Sequence, residues 1–390
     1  MAELHFGHCN PLNLPVKVWV LAPLVLTKDE TIDYYYDFSQ SIAEYTTAFA
    51  ELNLHWQWQP VTMVDYYEVI EQIVSERDNN ISFPIVLNIC DGDEVNGTPG
   101  ISVVKLLEER KLIYTGSEEF FYHITTSKIA MKKCFDKARV QTPAWEAIKS
   151  EKQNIKGIFD RLGTPIILKP AVSGGSMGVG TKNVVYNEAD LSSLIKQMFE
   201  GYRGWNLVTD GLIAESFVPG PEYTSFLVGD YNNPATTFIY EPVERIFHKS
   251  LPEDEKFLSF DRLWEIYEEE NAMPNDENFY EYATLDRAVS DEVKKLSWRA
   301  FVSVKGTGYA RIDIRKDKRT GKLYVLEVNA QCGISEDENF TSIGAILKVS
   351  RKSFPEMILE IINNAVERHT AQPATVRKKA MSLVNVSNAR

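Results

Sequence analysis

The chain has 390 residues, of which 44% are hydrophobic and 25% charged, and its formal net charge is -13. The length predicts two or three domains rather than one. The acidic charge speaks against a nucleic-acid scaffold, which needs a basic surface, and no stretch is long and apolar enough to span a bilayer. Four cysteines without metal-like spacing, and no signal-peptide pattern, favour a cytoplasmic protein.

The first third of the chain shows strand and helix patterns in alternation. The predicted strands are 16–26, 84–90 and 112–115, and the predicted helices are 33–52, 66–77 and 101–110. The continuous apolar run 84–90 is typical of a buried parallel strand and ends in a polar loop at 91–97. Ligands gather at such strand ends in open α/β sheets. We therefore predict an N-terminal α/β domain at 1–125.

A second unit is predicted at 126–220. It begins with a helix for which Ser127 is the expected cap. Buried strands are predicted at 165–170 and 211–215, and a Pro-Gly turn then separates this unit from the next.

The third unit is predicted at 221–370. It contains a segment at 253–291 that is rich in Glu, Asp, Tyr and Phe. This composition fits a lid or an interaction surface, and a solvated connecting segment fits about as well. The polar stretch 371–390 lacks periodicity and is predicted to be a disordered tail.

The most informative polar pattern lies on two short strands near the C-terminus, at 308–314 and 323–329, joined by a polar turn. Residues two apart on a strand point to the same face. Four polar residues follow that spacing, namely Arg311 and Asp313 on the first strand and Glu327 and Asn329 on the second. The residues between them are predicted to point into a core: Ile312, Leu326 and Val328.

Two carboxylates, a carboxamide and a guanidinium on one sheet surface suit magnesium and phosphate. Mg²⁺ takes hard oxygen ligands and bridges one or two carboxylates to substrate phosphates, and Arg supplies planar donors to phosphate oxygens. The alternative is a solvated hairpin face that is merely polar. Cys332 lies close by in sequence, and we interpret it as a neutral packing residue.

A glycine-rich turn, 173–180, follows the buried strand that ends in Lys169-Pro170. Such a turn can present backbone N–H groups to a polyphosphate. Lys169 can reach a phosphate as a point charge. The pattern is not a Walker A loop, because no Gly-Lys-Ser/Thr follows the glycines.

The Pro-Gly turn between the second and third units has a carboxylate on each side. Glu215 ends the strand before the turn and can accept from an exocyclic amine, while the backbone that follows can pair with an adenine edge. Glu222 follows the turn and can accept from ribose hydroxyls. The alternative is a plain turn with two solvated carboxylates.

Taken in chain order, these motifs resemble the ATP-grasp superfamily: Lys128, Lys169-Pro170 with its glycine-rich turn, Glu215 with Glu222, Arg311-x-Asp313, and Glu327-x-Asn329. Further motifs resemble its D-alanine–D-alanine ligase branch, at 88–92, 114–117, 142–145 and 220–224. The resemblance covers about residues 80–365. It implies a fold of α/β and α+β units: an N-terminal Rossmann-like (pre-ATP-grasp) domain followed by two ATP-grasp units, three domains in all, with ATP between the last two.

The resemblance also implies residue roles. The residues expected to contact the nucleotide are Lys128, Lys169, Ser173, Gly174, Gly175, Ser176, Glu215, Phe217, Val218 and Glu222. Two Mg²⁺ ions, or Mn²⁺ in their place, would be held by Asp313, Glu327 and Asn329. The catalytic residues would be Arg311, Lys169, Ser176 and Arg262, the last as the cation nearest to the position of a phosphate-binding lysine in the family.

The implied reaction converts a carboxylate and ATP into an acyl phosphate, which an amine attacks to give an amide, ADP and phosphate. Phosphoryl transfer needs positioning and charge neutralisation more than a protein nucleophile. The expected partners are ATP and a small-molecule carboxylate and amine, without nucleic acid or membrane, and a homodimer is common in this branch. A small-molecule kinase and a non-catalytic nucleotide-binding regulatory protein remain as alternatives.

The substrate motifs depart from those of the branch. The Gly-Gly-x-Ser turn expected after the first strand has no counterpart in residues 21–30. The serine that holds the second substrate's carboxylate falls near Glu338, within the acidic run 335–339. Such a run would repel a carboxylate, and could instead meet a cationic nucleophile or be a solvated loop. We therefore predict an amino acid or small peptide as substrate, but not two D-alanines.

Overall fold

The computed structural model describes residues 10–25, 37–201, 204–268, 270–274 and 277–371. Its first unit is a four-stranded parallel sheet with strand order β2-β1-β3-β4. The elements are β1 (Val16–Pro23), α1 (Ser39–Glu51), β2 (His55–Val61), α2 (Tyr66–Asp78), β3 (Phe83–Asn88), α3 (Ile101–Glu109) and β4 (Ile113–Tyr114). This confirms the predicted alternation of strands and helices.

The parallel sheet is covered on both faces. Val18 on β1 belongs to one buried cluster with Phe49 of α1. The next residue, Trp19, belongs to another with Ile70 of α2. Successive side chains of a strand point to opposite faces, so helices pack against both sides of the sheet. That arrangement explains why β1 and β3 are apolar without alternation.

The second unit is a four-stranded antiparallel sheet with strand order β5-β8-β6-β7. Its elements, and the two helices that precede the sheet, are α4 (Glu119–Thr126), α5 (Lys128–Ala138), β5 (Trp145–Ile148), α6 (Ile158–Leu162), β6 (Ile166–Pro170), β7 (Val184–Val185), α7 (Glu188–Glu200) and β8 (Leu212–Ser216). Ser127 caps α5 as predicted, since its hydroxyl accepts from the backbone N–H of Ala130 at 3.4 Å. The cap fixes where Lys128 starts the helix.

The third unit is a six-stranded antiparallel sheet with order β12-β11-β9-β13-β14, in which β10 also pairs with β9. Its elements are β9 (Glu222–Asp230), β10 (Asn233–Ile239), β11 (Val243–Phe247), α8 (Phe260–Leu263), β12 (Tyr280–Thr284), α9 (Arg287–Ser303), β13 (Thr307–Lys316), β14 (Leu323–Ala330), α10 (Ser342–Ser350) and α11 (Phe354–Ala371). Helix α9 covers one face, where Phe301 packs with Ile312. On the other face, Tyr309 shares a core with α11 and with α1 of the first unit.

A β-bulge interrupts the hairpin of β13 and β14. The register changes after Asp313, which leaves Leu326 as an extra residue between Val325 and Glu327. Val325 is buried and Leu326 only partly. The prediction that Leu326 points into the core is therefore wrong, because the bulge re-aims it. The other two predicted core residues of the hairpin are buried: Ile312 and Val328.

The acidic segment 253–291 is folded in its described part. It contains α8, β12 and the start of α9. Phe257 is buried with Ile167 of β6, and Phe260 is buried with Trp205. The alternative of a solvated connecting segment does not describe these residues, because their aromatic side chains pack on the second unit.

Some predictions lie outside the described residues. These are the tail at 371–390, of which only the first residue is described, and the stretch 26–36, which includes the predicted start of the first helix. Within the described ranges, no helix has the length and apolarity needed to cross a bilayer. One sheet falls within each of the three predicted domains, whose boundaries stay predictions.

Candidate active site

The hairpin brings the four predicted polar residues together. Arg311 lies opposite Asn329, and Asp313 lies opposite Glu327. The Asp313 carboxylate accepts from Arg311 Nη2 at 3.1 Å and from Asn329 Nδ2 at 2.9 Å on one oxygen. Its other oxygen accepts from the Thr224 hydroxyl at 3.2 Å. Burial lowers the pKa of the Arg311 guanidinium, but the neighbouring negative groups, Asp313 first and Glu327 after it, together raise that pKa overall.

A second group of charged side chains links α5, β6 and β8. Glu215 is 2% exposed, and its two oxygens lie 2.5 Å from Lys132 Nζ and 2.8 Å from Lys169 Nζ. Burial alone would raise the pKa of Glu215, but the two ammonium groups lower it to about 2. The structure thus uses Glu215 to hold Lys169 in place. Its predicted contact with an adenine amine stays a prediction.

Lys128 connects the second unit to the hairpin. Its Nζ donates to the carbonyl of Ser173 at 3.1 Å and to the hydroxyl at 3.3 Å, and it lies 3.9 Å from Glu327 Oε2. Burial lowers the pKa of Lys128, although Glu327 acts in the opposite direction. Lys169 adds a second positive charge to this neighbourhood. A polyphosphate laid along the turn would meet both ammonium groups.

The glycine-rich turn is fixed by the segment 253–268. The Ser176 hydroxyl donates to the Leu258 carbonyl at 2.9 Å, and Trp264 Nε1 donates to the Gly175 carbonyl at 2.8 Å. Gly175 has φ +52, and a Cβ there would lie 2.9 Å from the Trp264 ring. Only glycine meets both conditions without strain. The structure gives Ser176 this fixing role, and its catalytic role stays a prediction.

The predicted adenosine-binding stretch lies between β8 and β9. Glu222 is buried, and its carboxylate forms ion pairs with Arg245 and, at 2.9 Å, with Arg315. Burial raises the pKa of Glu222, but the two guanidinium groups lower it overall. Arg315 also donates to the Val218 carbonyl at 3.0 Å, and the Phe217 N–H donates to a backbone carbonyl just before β6. A ribose hydroxyl would have to share Glu222 with these arginines.

Arg262, the predicted replacement for a phosphate-binding lysine, is held within an ion-pair network. Its guanidinium lies 2.7 Å from Glu255 and 3.0 Å from Glu270. Glu270 in turn accepts from the N–H of Thr181, just after the glycine-rich turn, at 2.8 Å. Arg262 therefore ties the segment 253–268 to the second unit, which the sequence did not indicate. Its catalytic role stays a prediction.

Two further residues border the hairpin. Asp91, at the end of β3, is open to solvent, yet the surrounding protein removes enough water to raise its pKa to about 6. Cys332 is buried near Arg311 and Asp313, and burial raises the pKa of its thiol to about 12. The thiol is therefore neutral at physiological pH, as predicted.

The oxygen donors of the hairpin fit Mg²⁺ bound together with phosphate. Within the described ranges, no three or more His, Cys, Asp and Glu residues gather into a cage that could hold a metal ion. Asp313, Glu327 and Asn329 offer two carboxylates and a carboxamide, which leaves further ligand positions to phosphate oxygens and water. Mg²⁺ is usually bound in this way.

Sequence reasoning missed three cations of the site. Lys132 lies four residues after Lys128 on α5, and that spacing places both on one face of a helix. A signal was therefore present. Arg245 and Arg315 lie on strands far apart in sequence and meet only at Glu222, so no local pattern marks them.

Comparisons with known proteins agree in family and fold. A family model described as "D-ala D-ala ligase C-terminus" matches residues 135–363. The chain is 28% identical over 261 residues to a D-alanine–D-alanine ligase from Marinobacter nauticus, covering 67% of this chain and 69% of that protein. It is 27% identical over 256 residues to D-alanine–D-alanine ligase B from Xanthomonas campestris pv. campestris, covering 65% and 70%.

Solved structures of similar fold cover nearly the whole chain. A D-alanine–D-alanine ligase from Bacillus anthracis complexed with ATP superposes with a TM-score of 0.62 at 17% identity, over 92% of this chain and 99% of that one. The corresponding enzyme from Coxiella burnetii gives a TM-score of 0.63 at 16% identity, over 94% and 99%. At these identities, the likeness is one of fold.

Proposed function

The chain belongs to the D-alanine–D-alanine ligase family, and from that premise we propose that it joins an amino acid or small peptide to an amine through an acyl phosphate, and that its substrates are not two D-alanines. The predicted ATP-grasp fold is confirmed, as is the predicted class of enzyme, an ATP-dependent carboxylate–amine ligase. ATP and Mg²⁺ are the cofactors of this family. The substrates, the number of metal ions and the residue roles are our proposal.

One observation carries the proposal: the hairpin cluster lies directly beside the lysines of the second unit. Lys128 contacts the glycine-rich turn and lies 3.9 Å from Glu327. On the same hairpin face, Arg311 and Asn329 both donate hydrogen bonds to Asp313. A protein that only bound nucleotide would not need all of these groups, whereas phosphoryl transfer to a carboxylate does.

Each group has a task in the two-step reaction. In the first step, a carboxylate oxygen of the substrate forms a bond to the γ-phosphorus and ADP leaves. Lys128 and Lys169 would position the phosphates, and Arg311 would neutralise charge on the transferred phosphoryl group. In the second step, an amine attacks the acyl carbon, loses a proton, and phosphate leaves with the oxygen that came from the carboxylate.

Asp313, Glu327 and Asn329 would hold two Mg²⁺ ions. When bound, Mg²⁺ supplies charge neutralisation at the phosphates. The protein groups around it set where the carboxylate can approach, because Arg311 is fixed by Asp313 at 3.1 Å. No protein nucleophile is required, and the neutral Cys332 thiol is not used.

The proposal that the substrates differ from two D-alanines rests on the loop after β14. Where the branch has a serine for a carboxylate, this loop carries Glu336 and Glu338. Glu338 pairs with Lys348 at 2.6 Å. Glu336 is exposed, yet the nearby protein removes enough water to raise its pKa, and the charge of Glu44 raises that pKa further. A negative surface of this kind disfavours a second substrate that presents its own carboxylate there.

A pooled-substrate assay tests the proposal. The full chain is incubated with ATP, Mg²⁺ and pools of amino acids and small peptides, with D-alanine alone as a separate arm and EDTA as the metal control. We expect ADP and a new amide in at least one pool, and neither with EDTA. ADP without an amide would favour a kinase. Efficient formation of D-alanyl-D-alanine would overturn the substrate assignment.

A further inference from the structure

One of the buried glutamates in the described structure has no counter-charge among the described residues. The buried glutamates are Glu44, Glu215, Glu222 and Glu270. Three of them face cations: Glu215 two lysines, Glu222 two arginines and Glu270 Arg262. Glu44 on α1 is 6% exposed, and among the described residues no Lys, Arg or His lies within ion-pair distance of it. A buried unpaired charge is costly, so it needs a reason.

In the described structure, one of the two carboxylate oxygens of Glu44 accepts hydrogen bonds and the other does not. Its Oε1 accepts from Gln40 Nε2 at 3.0 Å and from the Ser335 hydroxyl at 2.7 Å. Its Oε2 is buried and has no partner among the described residues. The described residues therefore orient this carboxylate through one oxygen and offer no hydrogen-bond donor to the other.

The surroundings of Glu44 add negative rather than positive charge. Glu336 follows Ser335 and is exposed, and the charge of Glu44 helps to raise its pKa. One carboxylate thus lies at the surface and the other behind it. A cation arriving from solvent would meet Glu336 first and Glu44 second.

This acidic pair lies close to the reacting groups. Ser335 belongs to the loop that follows β14, and β14 ends one residue after Asn329. Tyr45, next to Glu44 on α1, belongs to the same buried cluster as Cys332, which follows β14. A ligand bound by Glu44 would thus lie beside the buried cluster that α1 shares with Cys332, three residues after Asn329.

We propose that Glu44, with Glu336 at the entrance, binds an alkylammonium group of the substrate, so that one of the two molecules joined is a basic amino acid such as lysine or ornithine. The inference rests on the proposed function, because it names a substrate class for the same site. An ammonium group supplies both the charge and the donors that the free oxygen of Glu44 lacks. The site differs from the nucleotide half, where the buried glutamates Glu215 and Glu222 already face cations.

Binding to matched ligand pairs tests the inference independently of turnover. Lysine is compared with norleucine, and ornithine with norvaline, by isothermal titration calorimetry on the full chain with ADP and Mg²⁺. Each pair differs in the terminal ammonium group. We expect the cationic member of at least one pair to bind about tenfold or more tightly than its neutral partner.

Glu44→Gln is the central variant. Glutamine keeps the shape and can still accept from Ser335, but it removes the charge, so we expect it to abolish the preference for the cationic ligand and to raise the melting temperature. Glu336→Gln should reduce the preference less, since that residue is exposed. Glu51→Gln, an exposed change on the same helix, is the matched control and should leave the preference unchanged.

The outcomes separate this inference from the proposed function. Equal or absent binding of the cationic and neutral ligands, or a preference that survives Glu44→Gln, would overturn the ammonium site. If ADP and amide form from neutral amino acids alone, the ligase function stands and the ammonium site fails. If the cationic preference is present and depends on Glu44 but no pool yields ADP, the site stands and the ligase function fails.

Discussion

Glu215 and Glu44 are both buried, 2% and 6% exposed, but their electrostatic surroundings are opposite. Glu215 lies between Lys132 and Lys169, whereas the donors to Glu44 among the described residues, Gln40 and Ser335, are both neutral. The nucleotide half of the site is thus a network that is complete in charge before any ligand arrives. The substrate half that we propose has an unpaired carboxylate, and we infer the charge of the ligand from it. The predictions below test this contrast.

The largest effect is expected at the hairpin. Asp313→Asn keeps the shape of the side chain but removes the charge of a proposed metal ligand that also pairs with Arg311, so we expect turnover in any productive substrate pool to fall by at least about 10²-fold. ADP release under saturating ATP and Mg²⁺ measures it. Asp317→Asn, in the exposed turn of the same hairpin, is the control. Turnover close to wild type in Asp313→Asn would remove this residue from the mechanism.

Breaking the ion pairs between Glu215 and its two lysines is expected to cost much of the protein's stability. Lys132→Met leaves Glu215 buried with one cation instead of two, and breaking a buried pair costs about 3–5 kcal/mol. Urea unfolding followed by circular dichroism measures the loss. Lys133→Met, an exposed neighbour on α5, should change stability by less than about 0.5 kcal/mol. Equal stability of the two variants would mean that Glu215 is adequately paired by Lys169 alone.

The ion pairs of Glu215 also predict how the free energy of unfolding changes with pH. The pKa of Glu215 is lowered from 4.5 to about 2 in the folded protein. Its contribution to stability is therefore fully present above about pH 4.5 and is lost as the pH falls toward 2. We expect the stability difference between wild type and Glu215→Gln to shrink by on the order of 3 kcal/mol over that range. A difference independent of pH would mean that Glu215 is not ionised in the fold.

The smallest effect is expected from removing one of the two hydrogen bonds that fix the glycine-rich turn. Trp264→Phe removes the donor to the Gly175 carbonyl, 2.8 Å away, and keeps most of the ring packing. Loss of about 1 kcal/mol corresponds to a rise of roughly fivefold in the KM for ATP. Trp298→Phe on α9, away from the turn, is the control. If the two variants have the same KM for ATP, the segment 253–268 does not fix the nucleotide site.

Much of the nucleotide half could be predicted because its residues follow local rules. Alternation on two strands placed Arg311, Asp313, Glu327 and Asn329 on one face, and the observed register agrees. The bulge at Leu326 could not be foreseen, because it reflects how β14 pairs with β13 and no turn residue marks it. Lys132 could have been predicted, because it lies four residues after Lys128 on one helix.

The role that we propose for Glu44 could not be predicted from the sequence, for a different reason. Glu44 lies on α1 with no motif around it, and it meets Ser335 only because the first and third units share a core. Contacts between residues almost three hundred positions apart leave no local signal in one sequence. The roles of Arg262 and the segment 253–268 are of the same kind, since they depend on packing across units.

Isotope transfer from the carboxylate tests the central claim most directly. Pooled amino acids labelled with ¹⁸O in their carboxylates are incubated with ATP, Mg²⁺ and the full chain, and the released phosphate is analysed by mass spectrometry. Acyl-phosphate formation predicts phosphate that carries one ¹⁸O for every amide formed, because the oxygen that attacks the γ-phosphorus leaves with it. ADP release with phosphate free of ¹⁸O would contradict the account.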